Sequence, residues 1–395
     1  VIDLETRTEG RTGALRRAAP ALLGYAAVRA LGLLVLALWS AARDKSAYTL
    51  LTARWDSLWY TRVAELGYGY EVRLPNGDVH SNLAFFPLLP WLEQLGAAVS
   101  PLSYADAGFV VSLLASLAAA WGIFAVAEHV YGRRAGVCAV LLWAVLPVGV
   151  VQSMAYSESL FTALAAWSLY AVLTGRWVTA GLLASLAGLT RPVGLAVAAA
   201  VWAAAVVAFV RSRSDGVPDG ARVPERALGD GARRVLGMTL APLGAAGYVL
   251  WVGHRTGQGP LGYLDVQAGW RNGFDGGVAF AGFVAGKFTS FPAALAGVAL
   301  VAGVALLLWL YVVCVRQRQP LPLLVYAGIV VALALCASSY FGSKPRLLLP
   351  AFPLLLPLAL ALARLRTSRS ALVVSGAAVA SAVYGAFWLN GSGPP

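Results

Sequence analysis

The chain has 395 residues, 59% of them hydrophobic and 12% charged, with a mean hydropathy of +0.72. Soluble domains average about 45–50% apolar and about 25% charged residues, so this apolar excess cannot be buried in one globular core. Soluble, fibrous and disordered classes are excluded, and the chain reads as an all-α polytopic membrane protein. The net charge of +12 is carried almost wholly by arginine, since only Lys45, Lys287 and Lys344 are lysines. The basic residues stand in short clusters between apolar runs, which is the pattern of membrane topology signals and not of a stripe tracking nucleic-acid phosphates. No nucleic-acid partner is expected.

Residues 1–19 are polar and hold Arg7, Arg11, Arg16 and Arg17. The apolar run 20–42 behind them is long enough to span, and no convincing cleavage site follows. It is expected as an uncleaved first helix with a cytoplasmic N-terminus. Further spans are expected at 106–128, 135–153, 157–174, 177–190, 192–210, 235–253, 291–315, 321–340, 346–363 and 371–389, about eleven with the first. The pair 177–190 and 192–210 divides at Arg191-Pro192, because Pro192 removes a backbone donor and restrains residue 191. Alternating sides places most arginines with the N-terminus, among them Arg133, Arg134, Arg176, Arg316, Arg318, Arg364 and those of 211–234. The positive-inside rule assigns that side to the cytoplasm. Arginine over lysine, with abundant alanine and glycine, suggests GC-rich codons and hence a bacterial plasma membrane. A single membrane domain over 1–395 is expected, with a first extracytoplasmic loop at 43–105 and a Gly/Pro/Arg-rich cytoplasmic linker at 211–234. Cys138, Cys314 and Cys336 lie inside apolar runs, in no metal or disulfide pattern.

The outer loop is where chemistry concentrates. Residues 54–71 read RWDSLWYTRVAELGYGYE, with Trp55, Trp59 and Arg62 at helical spacing and Gly67 as a left-handed cap. This predicts a short helix at the membrane face with its tryptophans in the headgroup layer. Asp56 and Glu65 are the candidate catalytic carboxylates. At about 100° per residue they fall on opposite faces of a continuous helix, so they cannot form a close pair unless it breaks. For Asp56 the bland alternatives are an ion pair with Arg54 or Arg62, or a place as a helix-start residue. Asp78 lies in PNGD, a turn signal, and His80 reads as a surface loop residue. Residues 83–92 (LAFFPLLPWL) are too short and proline-broken to span, and suit a re-entrant or interfacial segment. In YSESLF at 156–161, Ser157 and Glu158 suit a helix start. Arg191, Lys344 and Arg346 sit at outer span ends, where basic groups either hold a lipid phosphate or anchor the interface.

These residues resemble a known family. RWDSLWY at 54–60, VAE at 63–65, GYGYE at 67–71, AFFPLLP at 84–90, AYSESLF at 155–161, GLTRPVGL at 188–195 and YFGSKPRLLLPAFP at 340–353 look like the PIG-V family. Its eukaryotic members are the mannosyltransferases adding the second mannose to glycosylphosphatidylinositol anchors. The departure is VRLPNGDVH at 72–80, inserted before the AFFP motif. The resemblance implies a multi-span enzyme of the GT-C superfamily whose first outer loop supplies the catalytic acid residue. It implies a polyprenyl-phosphate sugar donor, typically phosphomannose, a lipid or glycan acceptor, and no cofactor or obligatory metal. That agrees with the lack of a P-loop, a dinucleotide fingerprint or an outer-loop DxD motif. The expected site is Asp56 with Glu65 for catalysis, and Arg191, Lys344 and Arg346 for the phosphate. Arg54, Trp55, Trp59, Tyr60, Tyr68, Glu71 and Glu158 would contact sugar or acceptor. A membrane transporter or lipid flippase is the rival class, but its ionisable residues are expected in mid-membrane.

Overall fold

The structure is a computed structural model that describes residues 2–214, 225–338, 340–391 and 393. The centre of the expected 211–234 linker therefore lies outside the described residues. Helix α1 (Ile2–Ala41) leads into the short α2 (Ala47–Thr52) and α3 (Asp56–Leu66), an antiparallel hairpin of β1 (Glu71–Arg73) and β2 (Val79–Ser81), and α4 (Leu88–Val99). Then come α5 (Tyr104–Tyr131), α6 (Arg133–Ala144), α7 (Ser157–Leu173), α8 (Trp177–Gly188), α9 (Gly194–Ser214), α10 (Glu225–Leu240) and α11 (Leu243–Thr256). The chain closes with α12 (Gly262–Gly269), β3 (Gly273–Phe274), α13 (Val278–Lys287), α14 (Ala293–Arg316), α15 (Leu321–Cys336), β4 (Ala337–Ser338), α16 (Lys344–Leu347), α17 (Leu356–Arg364) and α18 (Thr367–Leu389).

Every apolar run picked out by hydropathy falls on a helix or a helix pair, but the lengths differ. Among the described residues six helical segments are long and apolar enough to cross a membrane, one of them Gly231–Thr256, which joins α10 and α11. The α16–α17 region, bent by 73°, makes up to a seventh if it is one span. Helices α6, α7, α8 and α15 have 12 to 17 residues. At 1.5 Å per residue they fall short of the roughly 30 Å hydrocarbon core. The divide at Arg191-Pro192 is present, with α8 ending at Gly188 and α9 starting at Gly194. The run at 235–253 is also two helices, broken where Pro242 removes a donor.

The core lies where α5 packs against α1, α6 and α7. Alanines such as Ala119, Ala120, Ala139, Ala165 and Ala166 are fully buried there and let helix backbones approach closely. Trp143, Tyr25, Phe124 and Phe161 fill the remaining space. Large apolar side chains are exposed along α1 and α14, for example Leu34, Leu38, Val298 and Val301, as lipid-facing surfaces require.

Helix α6 ends inside this apolar body, which would leave its last carbonyls without donors. Arg29 of α1 supplies them: its guanidinium donates to the carbonyls of Ala144 and Gly149. Gly149 permits that approach, since a Cβ there would meet an Arg29 Nη at 2.9 Å. Arg29→Leu is expected to cost about 1–3 kcal/mol through orphaned carbonyls. A thermal-denaturation midpoint equal to wild type in the same detergent would refute that role.

Candidate active site

The loop from α2 to α3 carries the RWD segment. Trp55 has φ +52° and ψ −124°, a backbone conformation that costs a non-glycine residue on the order of 1–3 kcal/mol. Ser57 holds it: its hydroxyl donates to the Arg54 carbonyl at 2.6 Å and accepts the Arg54 N–H at 3.2 Å. Asp56 thereby opens α3, at the positive end of the helix. One turn on, Tyr60 is buried with its hydroxyl 2.7 Å from that of Ser157. Burial raises the Tyr60 phenol well above its ordinary pKa, so it serves as a neutral hydrogen-bonding group.

The start of the YSESLF segment is held through its backbone by α2 and α5. The Ala155 N–H donates to the Leu51 carbonyl at 3.0 Å, and the Ser112 hydroxyl to that of Tyr156. Neither Ser157 nor Glu158 caps the helix as the spacing suggested, since α7 begins without a side-chain cap. Glu158, 1% exposed, faces the Arg191 guanidinium from the α8–α9 break and forms an ion pair with it. Arg346 arrives from α16, where the chain bends. Its Nη2 lies 2.7 Å from Asp56 Oδ2, its Nη1 3.6 Å from Glu158 Oε1, and its plane covers the Tyr156 ring at 5.0 Å. The order is Asp56, Arg346, Glu158, Arg191, with charges alternating in sign. Burial of such groups is tolerated because each meets an opposite charge. Arg346 is only 8% exposed, and its Nε and Nη1 have no hydrogen-bond partner among the described residues.

Asp56, Arg191 and Arg346 open into a cavity of about 590 Å³. Its two walls differ. One is aliphatic, with Val330, Leu333 and Ala334 of α15 beside Leu347 and Pro350. The other is aromatic: Trp59 lies parallel to Phe85 at 5.7 Å and meets Trp270 edge-on at 4.9 Å, while His80 stacks on Trp270 at 4.0 Å. Partial burial lowers the His80 imidazole pKa, against the raising effect of Asp78. At neutral pH the ring is uncharged. Among the described residues no group of three or more His, Cys, Asp or Glu side chains comes together.

Of the expected site residues, Trp55, Asp56, Trp59, Tyr60, Arg191 and Arg346 line this cavity, and Glu158 backs it through its two arginines. The others stand elsewhere. Glu65 and Glu71 are exposed and do not line it. Glu65 sits in the last turn of an unbroken α3, away from Asp56. Arg54 stacks over Trp55 at 4.1 Å, and Tyr68 donates to the Phe85 carbonyl at 2.8 Å. Lys344 points away from the cavity: its ammonium donates to the carbonyls of Ala334 and Ala337 at 2.7 and 2.8 Å, holding the end of α15. His80 is no plain surface residue, and Trp270, Gln267 and Asn272 of the cavity wall carry no expectation from sequence. The signal available for them is a tryptophan with clustered amides in a stretch too polar to span.

Comparison with known proteins bears on the architecture. The solved structure of ArnT from Cupriavidus metallidurans bound to undecaprenyl phosphate is 17% identical, with a TM-score of 0.50, over 89% of this chain and 61% of that one. This chain shares the fold of that structure. The archaeal oligosaccharyltransferase AglB from Archaeoglobus fulgidus, in complex with an inhibitory peptide and a dolichol-phosphate, aligns at 14% identity with a TM-score of 0.47, over 94% of this chain and 56% of that one. The chain thus spans about three-fifths of the length of these structures. The PMT_2 family, described as dolichyl-phosphate-mannose-protein mannosyltransferase, matches residues 82–215, about a third of the chain. No curated protein matches by sequence.

Proposed function

We propose that this protein transfers a sugar from a polyprenyl-phosphate donor to a lipid-linked or glycan acceptor on the extracytoplasmic face, with inversion. One observation carries the reading: a single cavity is lined by Asp56, two arginines, aliphatic side chains of α15 and a cluster of aromatic rings. A lipid-linked sugar has the same sequence of chemistries. Its prenyl chain suits Val330, Leu333 and Ala334, its phosphate suits Arg191 and Arg346, and its sugar suits the part of the cavity beside Asp56 and Trp59. Arg191 and Arg346, both lining the cavity, are the cations such an anion needs. The PMT_2 match and the undecaprenyl phosphate held by the ArnT structure support this donor class, and mannose is the sugar that the PIG-V resemblance and the PMT_2 description favour.

Asp56 acts as general base. As the acceptor oxygen forms its bond to the anomeric carbon, the bond from that carbon to the phosphate oxygen breaks on the opposite side. The hydroxyl proton passes to the Asp56 carboxylate, and the lipid phosphate leaves with one more negative charge than it carried. Arg346 and Arg191 stabilise that growing charge, and the closed ion-pair chain fixes them before the reaction begins. Alcohols are far weaker acids than carboxylic acids, so Asp56 takes the proton only as the new bond forms and positioning matters as much as basicity.

Membrane vesicles containing the full chain should move radiolabel from polyprenyl-phosphate-mannose into a glycolipid or glycan extract. No transfer and no donor consumption would overturn the reading. The orientation has its own check: in a cysteine-free background, Asn76→Cys should react with an impermeant thiol reagent from outside and Arg316→Cys should not.

A further inference from the structure

We infer that His80 and Trp270 form a stacking wall for a neutral pyranose ring of the acceptor. This rests on the glycosyltransferase reading above and names the subsite that selects the second substrate. The wall is assembled from two distant segments. His80 comes from β2, paired across the hairpin with Val72, and Trp270 follows α12 directly. The two segments are joined by more than the ring stack. The Trp270 indole N–H donates to the Ser81 carbonyl at 3.0 Å, and Arg271 pairs with Asp78 at 2.6 Å. Gly269 lets the end of α12 approach β2, since a Cβ there would run into the Val79 carbonyl oxygen.

The chemistry of the wall identifies its occupant. Aromatic faces with amide edges suit a sugar, whose ring offers a patch of C–H bonds to stack and hydroxyls at its rim. The Asn272 side chain supplies an amide there, held by Gln267 Oε1 at 2.9 Å. An alkyl chain needs no amides and has Val330, Leu333 and Ala334 in the same cavity. The charged side chains lining the cavity are Asp56, Arg191 and Arg346, all on the phosphate side. Beside His80 and Trp270 no charged side chain lines the cavity, and the nearby Arg271 and Asp78 neutralise each other, so the wall favours a neutral occupant.

Position separates this ring from the sugar being transferred. The donor sugar is bonded to its phosphate and stays beside Arg191, Arg346 and Asp56. His80 is set off from Asp56 by Trp59, one helical turn along α3, and then by Trp270. The hairpin bearing His80 has exposed Glu71, Arg73, Asn76 and Gly77 at its edge and tip, facing water and not lipid.

The test uses the purified full chain in nanodiscs with polyprenyl-phosphate-mannose as donor. The acceptor probes are octyl pyranosides of manno, gluco and galacto configuration, with octyl glucuronide as a charged counterpart. At least one neutral probe should accelerate donor consumption saturably, and the glucuronide should not. His80→Ala should raise the half-saturating probe concentration about three- to tenfold, the range typical of one aromatic stacking contact. Trp270→Phe, which keeps an aromatic ring, should fall between it and wild type. Arg73→Ala, on an exposed hairpin residue outside the cavity, should match wild type. The inference is overturned if no neutral probe affects donor consumption, if His80→Ala matches wild type, or if Arg73→Ala shifts the curve as far as His80→Ala does. A wild-type protein that neither binds nor consumes the donor would instead overturn the glycosyltransferase reading itself.

Discussion

Asp56→Asn is expected to lower sugar transfer by about 10²–10⁴-fold, the usual contribution of a general base. The substitution keeps the size of the side chain and its place at the start of α3, and it removes only the charge and the basicity. Its partner Arg346 is not stranded, because Glu158 Oε1 lies 3.6 Å from Nη1. The protein should therefore fold and still be stabilised by donor in a thermal-shift assay. Glu65→Gln is the matched control, since that carboxylate is exposed at the far end of the same helix. A purified Asp56→Asn protein that transfers sugar at the wild-type rate would remove Asp56 from catalysis. Equal losses in both variants would mean that the assay reports folding of the loop.

The difference between those two carboxylates is legible in the amino-acid sequence, because helical spacing alone puts them on opposite faces. The same holds for the apolar runs, for the break at Pro192 and for the PNGD turn, each of which has a local cause. What is not legible depends on contacts between distant segments. Nothing near Asp56 in sequence indicates that its partner is Arg346. Arg54 and Arg62 are the obvious candidates, yet they lie over Trp55 and over the rings of Trp59 and Tyr70. Lys344 and Arg346 are two residues apart and look equivalent in the sequence. The α16 turn sends one to the cavity and the other to the carbonyls that end α15. The strands are hidden for a different reason: two or three residues hold too few alternations to show a period of two. The β3–β4 pair joins Gly273 to Ser338 and Phe274 to Ala337, and no local pattern could announce it. Helices α12 and α13, of 8 and 10 residues, carry neither a span's length nor a clear break signal.

Arg346 is expected to be the most sensitive cation in the protein, because it serves both acids at once. Arg346→Ala leaves Asp56 without its 2.7 Å partner and leaves Glu158 with Arg191 alone. Removing one member of a buried ion pair typically costs about 3–5 kcal/mol, so a fall in thermal midpoint is expected together with loss of transfer. That variant alone cannot separate folding from catalysis. Arg346→Lys can, because it restores the charge and gives up the planar fork that reaches Asp56, Glu158 and an incoming phosphate together. Its midpoint without donor should lie closer to wild type than that of Arg346→Ala. Its turnover should stay at least tenfold low, the cost of about 1.4 kcal/mol of transition-state stabilisation. The extra stabilisation that donor gives wild type should shrink in both variants. If Arg346→Lys is stabilised by donor as fully as wild type and turns over at the wild-type rate, Arg346 does no more than neutralise its two acids. The phosphate would then rest on Arg191, which meets only one of them.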